Sequence, residues 1–287
     1  RQCGKTYIVR ELAKEYFLDV IGESNAGNRR FMHTYENMVR TLDLVTKNVT
    51  SEFAESRFVP AGFEFRIGIG ESDLPPVKYE TESGRVLLRG SIDRVDTYVR
   101  NGVTYVRVID YKTYKKRLHA DLIACGLDSQ MLHYLFAYCG AKNAVPAGML
   151  YYTVTLPSVN INGEESEGEI LEKAEKALKR QGLLLDDPEI VFAMSESLRF
   201  VPVSRKADGS LSDLSRSLRS EAEFEELRKT LSDSVKALSK QIFAGNMDVA
   251  PQDAGGEDPC KYCKMHEFCR ASGRKEETED ETDEYSE

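Results

Sequence analysis

The dipeptide Asn101-Gly102 constrains the fold of this 287-residue chain more than any other feature. Asn-Gly supplies the two positive-φ residues of a tight hairpin, and alternating stretches rich in Val, Thr and Tyr flank it. With these two residues as the loop, the register follows. Asp96 faces Arg107 and Tyr98 faces Tyr105 on one side of the ribbon. On the other side Val99 faces Thr104, Thr97 faces Val106 and Val95 faces Val108. Opposite charges and paired aromatics are favourable cross-strand neighbours, so the register is self-consistent.

The same register sets Asp93 opposite Asp110, two carboxylates with Cβ atoms about 5 Å apart. Lys112, two residues on, projects from the same face as Asp110. Like charges so placed destabilise a fold, so either one carboxyl stays protonated or a cation lies between them. Few ligands, all oxygen, suit Mg²⁺ or Mn²⁺. Such an ion would polarise a phosphate and acidify a bound water, with Lys112 orienting or deprotonating that water or stabilising the transition state. Against this stands the ordinary reading of Asp110 and Lys112 as charges at a strand end, which the opposed Asp93 weakens.

Around the hairpin the chain reads as α/β. Helices are expected over 5–21 and 29–57, and a strand at 63–69 with Phe63, Phe65, Ile67 and Ile69 on one face. Residues 77–113 read as a β-meander turning at Ser83-Gly84 and Asn101-Gly102. A helix follows near 128–140, a strand at 148–155 and a charged helix at 164–181. Residues 221–244 form an amphipathic helix with Phe224, Leu227, Leu231, Val235, Leu238 and Ile242 as its stripe. The expected organisation is N-terminal helices (1–57), a core (58–250), a cysteine-bearing appendage (251–273) and a disordered acidic tail (274–287).

Bulk charge decides nothing about partners. The net charge of −9 comes mostly from eight acidic residues between Glu276 and Glu287, and residues 1–275 hold 39 basic against 40 acidic side chains. A start at Arg1 reads as a fragment of something longer. No apolar run reaches the roughly 18 residues of a membrane span and no signal peptide is visible, so a cytoplasmic location without membrane contact is expected. Gly4-Lys5-Thr6 looks like the end of a phosphate-binding loop but lacks the preceding strand and first glycine.

Three of the six cysteines cluster as Cys260-x₂-Cys263-x₅-Cys269. Three thiolates at this spacing suit zinc, with His266 as a fourth ligand, or an iron–sulfur cluster, and spacing does not separate the two.

Gly90-Ser91-Ile92-Asp93 with Val108-Ile109-Asp110-Tyr111-Lys112 resembles the PD-(D/E)xK nuclease superfamily in its RecB-like branch. Gly126 to Tyr134 resembles that branch's Q-x-x-x-Y helix, with Gln130 and Tyr134 one turn apart. The resemblance implies a restriction-endonuclease-like core with a mixed central sheet and flanking helices. It gives Gln130 and Tyr134 a part in placing the lysine and contacting the DNA backbone, although alone Tyr134 reads as a core aromatic. It also makes Glu64, otherwise merely the polar position of an alternating strand, an acid that assists metal binding.

Phe58 to Glu64, Gly182 to Asp187 and Ala244 to Arg270 are similar to the AddB family of helicase–nuclease proteins, and the likeness covers most of 29–271. It implies a [4Fe–4S] cluster on Cys260, Cys263, Cys269 and a fourth, upstream cysteine. It implies DNA ends as substrate, single-stranded after unwinding, cleavage of the strand ending 5′ at the break, and an AddA-like helicase motor as partner. Residues 1–28 do not match the family's upstream stretch. Cys3 is a weak candidate for the fourth ligand and His33 reads as an ordinary helix residue. That leaves the cluster incomplete in this chain and the activity of the isolated fragment open. The competing function is a catalytically weak module that holds DNA ends, with the cysteine site as a structural staple. An electron-transfer role gives the opposed aspartates no use.

Overall fold

The computed structural model describes residues 11–16, 18–20, 28–82, 84–116, 122–123, 126–157, 166, 169, 173, 175–251, 260 and 263–269. Most of the first expected helix, most of the charged stretch at 164–181 and the acidic tail fall outside them. Cys3 and Cys125 do too.

Helix α1 spans Arg29–Glu55, its N-terminus capped by Asn28, whose side chain accepts from Arg30 N–H. Then come β1 (Val59–Ile67), β2 (Val77–Thr81), β3 (Gly84–Leu88), β4 (Gly90–Arg100) and β5 (Val103–Lys112). Helix α2 (Gln130–Lys142) leads into β6 (Val145–Thr153) and β7 (Gln181–Leu185). Helix α3 is Pro188–Met194, with Asp187 as N-cap and proline in its first turn. The short β8 (Ser204–Arg205), β9 (Leu211–Ser212) and β10 (Leu218–Arg219) precede α4 (Glu221–Phe243). A capping box between Ser220 and Glu223 starts α4.

The main sheet has six strands in the order β1-β4-β5-β6-β7-β10. Its β5–β6 and β7–β10 pairs are parallel and the others antiparallel, which makes it the expected mixed sheet. Helix α2 packs on β4, β5 and β6, and α4 packs on α2, β2 and β10. Among the described residues no helix is long and apolar enough to cross a membrane.

The central hairpin has the expected register. Asp96 pairs with Arg107, Tyr98 with Tyr105 and Val95 with Val108. Asn101 and Gly102 have φ of +52° and +78°, the positive values the tight turn demands. The expected meander is divided, however. Strands β2 and β3 form a separate two-stranded sheet, because β1 already occupies the free edge of β4. Strand β1 also departs from plain alternation. Its register shifts between Pro60 and Gly62, and Glu64 has a φ of +49°. Ile67 is buried, whereas Phe63 and Ile69 are exposed. The apolar stripe of α4 likewise buries Phe224 and Leu231 but leaves Leu238 and Ile242 exposed.

Glycine is required where β7 meets β6. Gly182 has a φ of +150°, and a Cβ there would come within 2.0 Å of the Met149 carbonyl oxygen.

Sequence pattern gave the Asp96–Arg107 pair but not the rest of the ion cluster buried between α1 and the sheet. Glu52, Arg94, Asp96, Arg107 and Arg180 are all fully buried. Arg94 donates to Asp96 through Nε (2.8 Å) and Nη2 (2.6 Å), and Nη2 also reaches Glu52 Oε1 at 3.1 Å. Arg107 bridges Asp96 through Nε and Glu52 through Nη2, each at 2.8 Å. Arg180 binds the other Glu52 oxygen at 2.7 Å and Asn48 Oδ1 at 2.6 Å. Three cations meet two carboxylates, and aromatic faces accommodate the surplus charge. Arg180 lies 4.0 Å from the Tyr152 ring centre and Arg94 lies 4.5 Å from that of Phe53.

Burial pushes the Glu52 carboxyl up, but Arg107, Arg180 and Arg94 outweigh it and hold the pKa at about 2 instead of 4.5. Its folded-state pKa is thus depressed, so its contribution to stability is full above 4.5 and is lost as pH falls towards 2. Removing one partner of a buried cluster leaves the others uncompensated, so Glu52→Gln should cost about 3–5 kcal/mol in urea unfolding at neutral pH. The same variant should lose the part of the acid destabilisation that falls between pH 4.5 and 2. Unchanged stability would show that the cluster does not hold α1 to the sheet.

Candidate functional site

The carboxylate site lies where β4 and β5 leave their shared ladder. The last paired residues are Arg94 and Ile109, one step before Asp93 and Asp110. Asp93 Oδ2 accepts the Tyr111 backbone N–H at 2.7 Å, which fastens its side chain to β5. Asp110 is buried and carries the Lys112 ammonium 2.6 Å from its Oδ2. A carboxylate oxygen has two lone pairs, so beyond this ion pair the buried Oδ2 retains acceptor capacity.

The electrostatics match the geometry. Burial pushes the Asp110 carboxyl up, Lys112 draws it down, Asp93 adds an upward push, and the net shift is upward. Burial works against the Lys112 charge, but Asp110 more than offsets it and raises the lysine's pKa. Lys112 is therefore an ammonium here and not a free base.

Parallel pairing with β6 sets Tyr151 beside Asp110 and Thr153 beside Lys112. The Lys112 Nζ lies 6.0 Å from the Tyr151 ring centre. Burial raises the Tyr151 hydroxyl pKa, with Asp128 and Asp110 adding to the shift. Asp128, just before α2, is ion-paired to Lys116. Sequence reasoning did not single out Tyr151, Lys116 or Asp128 as site neighbours, because the β5–β6 register depends on a crossover whose length no local motif encodes.

Gln130 and Tyr134 come together as expected: Gln130 Nε2 donates to Tyr134 Oη at 3.0 Å on the exposed side of α2. The Tyr134 ring lies over Gly90 at the start of β4, where a Cβ would fall 2.0 Å from Tyr134 Oη. The glycine three residues before Asp93 thus admits the ring to that end of the sheet. His133, next to it, binds the Tyr79 hydroxyl through Nδ1 at 3.0 Å.

Glu64 falls between the Phe63–Arg94 and Phe65–Ile92 pairs, across from Asp93 in register, but it is exposed. Among the described residues no three His, Cys, Asp or Glu side chains are grouped to hold a metal ion. This corrects the expectation that Glu64, Asp93 and Asp110 form a ready three-carboxylate set for Mg²⁺ or Mn²⁺. It also corrects the expectation of a [4Fe–4S] cluster, or zinc, on Cys260, Cys263 and Cys269. Cys263 is exposed, its N–H bonds the Cys260 carbonyl at 3.0 Å, and its Sγ accepts the Met265 N–H at 3.4 Å. A short 3₁₀ helix at His266–Phe268 then carries the chain to Cys269. None of these cysteines forms a disulfide. His33 faces Asn37 along α1, with Nε2 3.1 Å from the amide nitrogen, in line with its reading as an ordinary helix residue.

What remains is two carboxylates with Lys112 beside them. Mg²⁺ is commonly held by one or two protein carboxylates, with water and substrate phosphate completing its shell. The pair, with buried acceptor capacity on Asp110 Oδ2, fits that donor set.

Comparison with known proteins bears on the same residues. The family model described as the PD-(D/E)XK nuclease superfamily matches residues 6–270. The chain is 31% identical over 255 residues to an ATP-dependent helicase/deoxyribonuclease subunit of Clostridium kluyveri, covering 85% of this chain and 22% of that protein. It is 31% identical over 282 residues to the protein of the same name from Bacillus thuringiensis (92% and 24%), and 30% identical to that of Alkaliphilus oremlandii (89% and 24%). The chain thus spans less than a quarter of the length of these relatives. The match falls on the sheet, the carboxylate hairpin and the helix carrying Gln130 and Tyr134. The chain therefore belongs to the PD-(D/E)XK nuclease superfamily, and it is similar to part of the helicase/deoxyribonuclease subunits named above.

Proposed function

We propose that the chain is a divalent-cation-dependent exodeoxyribonuclease domain of a DNA-break-processing assembly, hydrolysing phosphodiesters at DNA ends. The observation that carries this reading is the juxtaposition of Asp93, Asp110 and Lys112 at the open end of the β4–β5 hairpin. A hard divalent cation bound there would supply Lewis-acid polarisation of the phosphate and a more acidic water.

The chain's own residues do the rest. Asp93, held by the Tyr111 N–H, and buried Asp110 are the oxygen donors. The Lys112 ammonium provides positive charge where a pentacovalent phosphate gathers negative charge, and it orients the attacking water. In this reading the Gln130–Tyr134 pair, seated over Gly90, contacts the DNA backbone and places the lysine. Contacts to phosphates and not to bases fit an enzyme that degrades ends of any sequence. The similarity to helicase/deoxyribonuclease proteins supports a partner that supplies the ATP-driven motor, and a cytoplasmic location belongs to the same proposal.

A second reading is a module that holds DNA ends without cutting them. The lack of a three-ligand group among the described residues favours it. The two readings separate on one assay with an end-labelled duplex. The nuclease reading predicts cleavage that EDTA stops and Mg²⁺ restores. Asp110→Asn and Lys112→Gln should each lower the rate by at least about 100-fold with unchanged circular dichroism. Cleavage by Asp110→Asn at the wild-type rate would refute it, and cation-independent end binding without cleavage would establish the holding role. Gly90→Ala should displace Tyr134 and lower cleavage while Mg²⁺ dependence persists. Full activity in that variant would remove Tyr134 from the account.

A further inference from the structure

The carboxylate centre makes no use of a basic groove formed by the segment before β7, the loop after α3 and the β8–β9 hairpin. A cavity of 200 Å³ there is lined by Lys176, Lys179, Arg199 and Arg205 against one carboxylate, Glu175. Through Glu175 and Arg199 it adjoins a second cavity of 250 Å³, to which α1 contributes Lys47. Five cations to one anion is an imbalance that no other described cavity of the molecule shows. The 560 Å³ cavity between β2, α2 and α4 is larger, but its cations include Arg228 and Lys236, which pair with its own Glu225 and Asp233.

The groove's cations are held in place. Arg205 lies over the Phe192 ring at 4.6 Å and Arg199 over Phe200 at 5.0 Å, so both guanidinium groups are seated on aromatic faces. Arg199 also leans on Glu55 at 3.5 Å and on Glu175 at 3.9 Å, which makes it the most committed of the five. Lys179 is half-buried and donates one N–H to the Val203 carbonyl at 2.9 Å. Burial and neighbouring Lys176 push its pKa down, which is the signature of a positive site lacking a counter-charge. A bound anion would reverse that shift.

Topology sets this groove at the end of the sheet where the carboxylates lie, but on the α1 side, so a strand held in it would pass round that end to reach Asp93 and Asp110 on the opposite face. Asp110 pairs with Tyr151 across β5–β6, and Tyr151 pairs with Gln181 across β6–β7. Gln181 is thus two strands from Asp110, about 10 Å, and Lys179 precedes it by two residues. We propose that this groove is a phosphodiester track that holds a single DNA strand by its backbone phosphates and leads it to the end of the sheet that carries the carboxylate centre. The inference rests on the nuclease reading for its choice of polyanion, since Lys and Arg without base-reading partners recognise phosphate and not sequence.

The test is fluorescence anisotropy of a labelled oligothymidylate binding to the intact chain in EDTA, so that no cleavage is required. Wild type is compared over a range of salt with Lys176→Gln/Arg205→Gln, whose altered side chains are exposed and whose fold is checked by circular dichroism. The variant should bind about tenfold more weakly at low salt. Its plot of log affinity against log salt should be shallower by roughly 1.4, from two lost phosphate contacts at about 0.7 each. An oligomer with neutral methylphosphonate linkages should bind wild type and variant alike. Equal affinity and equal salt slope for the two proteins on the natural strand would overturn the track. So would a wild-type preference that survives on the neutral strand. Because binding is read without hydrolysis, either result leaves the assignment of Asp110 standing, whereas an active Asp110→Asn would strike that assignment and not the groove.

Discussion

The ion cluster of Glu52, Arg94, Asp96, Arg107 and Arg180 is the constraint on which the rest of the molecule turns. A strand ladder can slip, and a one-residue slip sends every side chain to the opposite face. In this hairpin a slip would part Asp96 from Arg107 and strand buried charges without partners, at several kcal/mol each. The register that satisfies the cluster on one face of β4 and β5 is the same register that brings Asp93 towards Asp110 on the other. The buried charges thus enforce the geometry of a site they do not touch. Helix α1 supplies one charge to it, Glu52, whose two oxygens reach three arginines on three different strands or strand edges.

On the other face the electrostatic problem is left unsolved by the protein alone. Asp110 is buried beside another carboxylate, and the charge set against it is the Lys112 ammonium two residues away. A fold optimised for stability would place apolar side chains there. Unresolved like charge at the end of a rigid sheet is the mark of a site shaped for something that binds, and under the proposed function a cation with a phosphate would supply the missing complement. The basic groove near the same sheet end has the opposite sign, which suits the remaining length of a polyanion.

Local chemistry made the hairpin legible: Asn-Gly demands positive φ at two positions, and the alternation around it leaves one register that pairs charge with charge and ring with ring. The Gln130–Tyr134 pair followed from helical spacing. The rest of the ion cluster could not be read, because Glu52 and Arg180 lie far from the hairpin in sequence and each looks like an ordinary surface charge. Nor could the separation of β2–β3 from the main sheet, since the competing claim of β1 on the edge of β4 is a tertiary fact. Spacing misled at the cysteines. Close positions in sequence permit convergence of sulfurs but do not enforce it, and among the described residues the three do not group to hold a metal. Glu64 lies across from Asp93 in the β1–β4 register, but a positive φ accompanies its exposed position.

The most direct measurement is the titration of the Asp110 side-chain carboxyl, followed by carbon NMR with and without Asp93→Asn. Burial first, and Asp93 in addition, should hold Asp110 above its ordinary value of 3.8 in the wild-type chain, and loss of the Asp93 charge should move it down. An Asp110 carboxyl that titrates identically in both proteins would mean the two aspartates do not share a site, and the account of the hairpin as a catalytic centre would fail.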